Sequence, residues 1–101
     1  MRILAKMHVI SRKALREFEA RHPDAGLPLG IWCRIARKAE WKNLADVRKT
    51  YPHADLVGRH TVFNIKGNSY RLIVKIEYEF GLIFIKHVLT HAEYDKGAWK
   101  K

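Results

Sequence analysis

Hydrophobic positions along this 101-residue chain change period near its middle, from helical spacing to strand alternation. Residues 2–10 are rich in apolar side chains and read as a first strand. Ile10 and Ser11 then occupy the staple and N-cap positions of a helix. That helix places Ala14, Leu15 and Phe18 on one face and stops before His22-Pro23. Gly26 to Gly30 reads as a loop or a loose helix start. Beyond it, Ile31, Trp32, Ile35, Ala36 and Ala39 recur at helical spacing, with Arg34, Arg37 and Lys38 on the other side. Asn43, with Asp46 three residues on, can cap one more helical segment reaching Tyr51-Pro52.

From about residue 55 the period becomes two. Thr61, Phe63 and Ile65 alternate with Val62, Asn64 and Lys66, and Gly67-Asn68 supplies a tight turn tolerant of positive φ. Closing Lys66 onto Ser69 pairs Ile65 with Tyr70, Phe63 with Leu72 and Thr61 with Val74 on an apolar face. The opposite, non-core face then pairs Asn64 with Arg71 and Val62 with Ile73. A second hairpin turns at Glu79-Phe80-Gly81 into Leu82 to Leu89. Its register is open by one residue, so either Lys86 or His87 shares the Arg71 face. Thr90-His91-Ala92-Glu93 fits a capping box, which starts a helix running towards Trp99. The expected architecture is a single α+β domain over residues 1–101.

Composition adds a partner class. Lys and Arg total 20 against 10 Asp and Glu, a formal charge of +10, which favours RNA, DNA, an anionic membrane surface or an acidic protein without choosing among them. Cys33 is the only cysteine, which excludes an intrachain disulfide and a cysteine-based zinc site. No apolar run approaches the ~20 residues of a membrane span, and residues 1–6 lack the apolar region of a secretion signal. A cytoplasmic protein is expected.

The last third concentrates chemistry. Lys86, His87, His91 and Tyr94 gather where a strand ends and a helix begins. RNA can be cut by its own 2′-hydroxyl, given a base, a cation for the phosphorane and an acid for the leaving oxygen. Arg71 suits a bidentate phosphate contact; its plain alternative is a solvated charge on an open sheet face. Lys86 is a second phosphate cation or an ordinary strand lysine. His91 stands at a helix N-terminus that favours anions, or is a capping-region histidine bonded to nearby backbone. Tyr94 can stack on a base or pack against the sheet. Asp95 is expected to contact an Arg or Lys. His87 is a lesser candidate, and it and His91 lack the single-helix geometry of a zinc pair. Arg34, Arg37, Lys38 and Lys42, with Arg48 and Lys49, can follow an RNA backbone or form a solvated helix face. Trp32 and Trp41 are expected in core or hinge packing.

The stretch Phe63-Asn64-Ile65-Lys66-Gly67-Asn68-Ser69-Tyr70-Arg71-Leu72, followed by Lys86-His87-Val88-Leu89-Thr90-His91-Ala92-Glu93-Tyr94-Asp95-Lys96, resembles the HigB toxins. Met7-His8-Val9-Ile10-Ser11 with Lys13-Ala14-Leu15 resembles their usual beginning. The resemblance spans roughly residues 7–97, which leaves residues 1–6 as an added edge strand or a mis-assigned start. It implies a RelE/ParE-like fold, with N-terminal helices packed on a twisted antiparallel sheet and a short C-terminal helix. It further implies a type II toxin that cleaves mRNA on the ribosome; the 2′-hydroxyl chemistry outlined above requires no metal or other cofactor. Its partner is a HigA-type helix-turn-helix antitoxin that represses the operon, so operator DNA is reached only through the antitoxin. On this reading Arg71, His91, Lys86 and Tyr94 are catalytic, and Asn64, His87, Arg34, Arg37, Lys38 and Lys42 bind RNA. The same scaffold also serves non-catalytic gyrase inhibitors of the ParE branch, and a plain basic nucleic-acid-binding module is a third reading.

Overall fold

The computed structural model describes residues 6–100. The order is β1 (His8–Ile10), α1 (Lys13–Arg21), a 3-10 turn (Pro23–Ala25), α2 (Gly26–Lys38), α3 (Leu44–Thr50), β2 (Asp55–Val57), β3 (His60–Ile65), β4 (Tyr70–Glu77), β5 (Leu82–Thr90), α4 (His91–Lys96) and a last 3-10 turn (Ala98–Lys100). The strands form one sheet in the order β1-β5-β4-β3-β2. It is antiparallel except at one edge, where β1 runs parallel to β5 with His8 opposite Leu82. The fold is α+β. The extension of the first strand over residues 2–5 lies outside the described residues.

The β3–β4 hairpin has the register that the alternation predicts, from Thr61 opposite Val74 to Ile65 opposite Tyr70. Its turn is closed by the Ser69 amide donating to the Lys66 carbonyl at 3.1 Å. The positive φ values fall on Lys66 and Gly67 (52° and 62°), so Asn68 is left to other work. One sheet face, carrying Phe63, Ile65, Leu72, Val74, Ile83, Ile85 and Val88, packs against Leu15, Phe18, Leu29, Trp32, Ala36 and Val47 of the helices. Trp32 and Trp41 are buried there, each against the Phe63 ring.

Several local expectations are corrected. Ser11 does not cap α1: it adopts a left-handed φ of 70°, and Arg12 takes the cap position with no side-chain bond. The turn from β1 onto the helical layer uses Ser11 as a bend, which denies it the extended backbone of a capping residue. Gly26 to Gly30 is the first part of α2 rather than a loop. Pro28 is tolerated because the first-turn amides have no intrahelical acceptor to lose. Ile31 and Ile35 do not belong to the core stripe, which is Leu29, Trp32, Cys33 and Ala36. Asn43 does cap α3, its Oδ1 accepting from the Asp46 amide at 2.9 Å. The short edge strand β2 was not separated from β3 by the pattern.

The second sheet face is not open. Val62 and Ile73 are buried under Trp99, with Val57, Leu89 and Tyr94 packed around them. Gly97, at φ 74°, ends α4 in the left-handed conformation and sends the chain back so that Trp99 reaches the sheet. α4 therefore stops at Lys96 and does not run on to Trp99. This small outer core is where the candidate chemistry sits.

Candidate active site

Arg71 lies in the middle strand on the outer face, opposite Asn64, and retains only 8% of its exposure. The plain alternative of a solvated charge fails, because the turn and α4 enclose it. Its Nη1 donates to the Asn68 and Tyr70 carbonyls, both at 3.2 Å, and its Nη2 to Asn68 Oδ1 at 2.6 Å. The Tyr94 ring sits over the guanidinium with Cζ 5.5 Å from the centroid. Three of the five donors are thus committed to fixing the group. What remains is a held positive charge beside a phenol, more a fixed electrostatic post than a freely swinging fork.

A β-bulge settles the open register of β5. Ile73 faces His87 but Val74 faces Ile85, so Lys86 is the extra residue. Ile83, Ile85 and Val88 point to the helical core, leaving Lys86 and His87 as consecutive outward residues. Lys86 is exposed, its Nζ 5.7 Å from the Phe84 ring centroid. His87 is diagonal to Arg71 across the strand pair, since Leu89 is the direct partner of Arg71. Partial burial lowers the pKa of His87 below 6.5, helped by the nearby His60 and Lys86 charges. That shift favours the neutral imidazole, the form that can accept a proton.

The capping box forms as the Thr-x-x-Glu spacing requires. The Thr90 amide donates to Glu93 Oε1 at 2.9 Å, and the Glu93 amide to Thr90 Oγ1 at 3.2 Å. This same arrangement corrects the picture of a helix end waiting for an anion. The His91 amide already donates to the Ser69 carbonyl, and the Glu93 carboxylate occupies the terminus. Bonding to the Thr90 backbone holds the Glu93 carboxyl below its usual pKa, so its negative charge is secure. The His91 side chain is half exposed, with Nδ1 3.6 Å from Asp95 Oδ1. Among the described residues Asp95 therefore contacts a histidine and not the expected Arg or Lys. Tyr94 stacks on Trp99 at 5.2 Å while covering Arg71, so it packs against the sheet and faces the site at once. Burial, with Asp55 nearby, raises its pKa above 10 and keeps the phenol a proton donor.

Asn64 lines a polar groove with Tyr94, Arg48, His53 and Asp55. The sequence reading missed His53, which carries no local motif, and it placed Arg48 only within a charge run. Asn68 and His60 were also missed as partners of Arg71 and His87. Arg34, Arg37, Lys38 and Lys42 are not brought to this site. They belong to α2 and the segment after it, on the helical side of the sheet, where Arg34, Arg37 and Lys38 border Lys6 and His8. Among the described residues no group of three or more His, Cys, Asp or Glu could hold a metal ion, and no helix is long and apolar enough to cross a membrane.

Comparison with known proteins identifies the family. The chain is similar to the mRNA interferase HigB of Escherichia coli O6:H1 strain CFT073, 29% identical over 93 residues that cover 89% of this chain and 90% of the relative. It is similarly close to the mRNA interferase toxin HigB of Escherichia coli K12 and to the mRNA interferase HigB of Shigella flexneri. Each of these is 29% identical over 92 residues, covering 88% of both chains. The HigB_toxin family, described as the RelE-like toxic component of a toxin-antitoxin system, matches residues 25–97. That match takes in the hairpin, the bulge and the capping box together, and the chain belongs to the HigB toxin family.

Proposed function

We propose that this toxin is an mRNA interferase that acts in the cytoplasm on ribosome-bound transcripts, cutting RNA by attack of its own 2′-hydroxyl without a metal. The observation that carries the reading is Arg71, held beneath Tyr94 beside a bulge that presents Lys86 and His87. Neutral His87 takes the 2′-hydroxyl proton as the oxygen bonds to phosphorus. Arg71 and Lys86 stabilise the added charge on the phosphorane. The bond to the 5′-oxygen breaks, and that oxygen takes a proton from His91, which lies beside Asp95. Tyr94 donates to a phosphate oxygen or stacks on a base. The products are a 2′,3′-cyclic phosphate and a 5′-hydroxyl. Asn64 contacts the RNA from the adjacent groove, and the charge of +10 supplies non-specific affinity. A HigA-type helix-turn-helix antitoxin neutralises the toxin and carries it to operator DNA.

The similar proteins named mRNA interferase support this choice among the activities the scaffold can host. The test is expression without antitoxin, with mapping of transcript ends. Growth arrest with cyclic-phosphate ends is expected, and both are lost on Arg71→Ala. Growth arrest with intact transcripts and inhibited supercoiling would replace the reading with gyrase inhibition. Nucleic-acid binding with neither effect would reduce the protein to a basic binding module.

A further inference from the structure

α2 carries a second feature on its outward side. Leu27, Ile31 and Ile35 are 75%, 42% and 37% exposed. At about 100° per residue, successive members of this i, i+4, i+8 series are displaced by about 40°, so they form one continuous ridge. Leu29, Trp32, Cys33 and Ala36 occupy the opposite, buried side. Arg34 and Lys38 share the sector of the ridge. At its end Ile35 enters a groove towards α3, where Ala39 and Trp41 give an apolar lining and Lys38, Lys42 and Lys49 give cations. Of the two carboxylates there, Asp46 is engaged by Lys49 at 3.6 Å and by the Lys42 amide at 3.0 Å; Glu40 is the other.

We infer that this ridge and groove dock an amphipathic helix with an acidic flank, supplied by the antitoxin. An i±4 ridge matches the grooves of a partner helix, and the surrounding cations select carboxylates. Nucleic acid would leave Leu27, Ile31 and Ile35 in water. A second copy of this chain would set Arg34 and Lys38 against like charges. The ridge lies on the helical side of the sheet and Arg71 on the other. The antitoxin's anchor and the site are therefore separate surfaces, and Arg34, Lys38 and Lys42 serve the anchor rather than RNA. The inference rests on membership of a toxin-antitoxin family, and only its activity control rests on the proposed RNA cleavage.

The experiment titrates purified toxin with its cognate antitoxin by calorimetry, comparing wild type, Leu27→Asp and Leu27→Asp/Ile31→Asp. The double variant is expected to bind roughly tenfold or more weakly, as for loss of a central apolar anchor, and wild-type affinity to fall with salt. RNA cleavage is unchanged in both variants. An unchanged Kd in a double variant with native circular dichroism overturns the inference. Should the double variant unfold, backbone amide shifts of the wild-type toxin decide. Antitoxin-induced shifts centred on residues 27–38 support docking there, and shifts confined to other elements overturn it. A toxin dimer in light scattering that Leu27→Asp dissolves also overturns it, in favour of self-association. Wild-type toxin that binds antitoxin but cuts no RNA overturns the proposed activity alone.

Discussion

Arg71 holds the turn and α4 to the sheet and, in the proposed mechanism, also carries the phosphorane charge. Removing it leaves Asn68 Oδ1 and two carbonyls without their donor and opens a gap beneath Tyr94. Arg71→Ala is expected to cost about 1–3 kcal/mol in denaturant unfolding and to lower cleavage about 10²–10³-fold. Arg71→Lys keeps the charge but not the fork, so a cleavage loss larger than its stability loss separates the two roles. His87 gives a pH prediction. Its folded pKa is depressed, so the unfolded chain binds the proton more readily. Its contribution to stability is complete above the unfolded value near 6.5 and is lost as pH falls through the lower folded value. The acid limb of cleavage follows the folded value. It should therefore lie below pH 6.5 and vanish with His87→Gln, and an acid limb above pH 7 would exclude His87 as the base.

At the scale of elements, α4 depends on its two ends. Thr90→Ala removes one half of the capping box and is expected to cost about 1 kcal/mol. Gly97→Ala forces a Cβ into φ 74°, at about 1 kcal/mol, and loosens Trp99 from the outer sheet face. Chemical denaturation measures both, and equal stability of the two variants with wild type would show that α4 is held by packing alone. These two ends also show what the residues disclose by themselves. The capping box and the β3–β4 register were legible because spacing, turn chemistry and alternation all point the same way. The bulge was not, since Lys86-His87 is polar in either register and only the core-facing Ile85 and Val88 decide it. Ser11 misled because a good capping residue was spent on a bend. The cover over Val62 and Ile73 was hidden because it depends on one left-handed glycine returning Trp99 to the sheet.

The whole molecule is a sheet with two unlike faces, tied together at one corner. Asp24, ahead of α2, accepts from Lys66 Nζ and Tyr70 Oη, both at 2.7 Å, and so joins the helical layer to the turn that holds Arg71. Those two bonds keep the Asp24 carboxyl below its usual pKa. Asp24→Asn is expected to lower the melting temperature, and the difference from wild type should shrink as acid protonates the native carboxyl. Across the molecule, the charge of +10 predicts RNA affinity that falls linearly on a log–log plot against salt, in a filter-binding titration. The tryptophans divide along the same two faces. Trp32 and Trp41 are sealed in the helical core, whereas Trp99 lies on Tyr94 and edge-on to the His60 ring at 5.8 Å. The protein thus contains its own pair of optical reporters. In a Trp99→Phe background the remaining emission follows unfolding, and with Trp32 and Trp41 replaced by Phe the last indole follows occupancy of the Tyr94 corner.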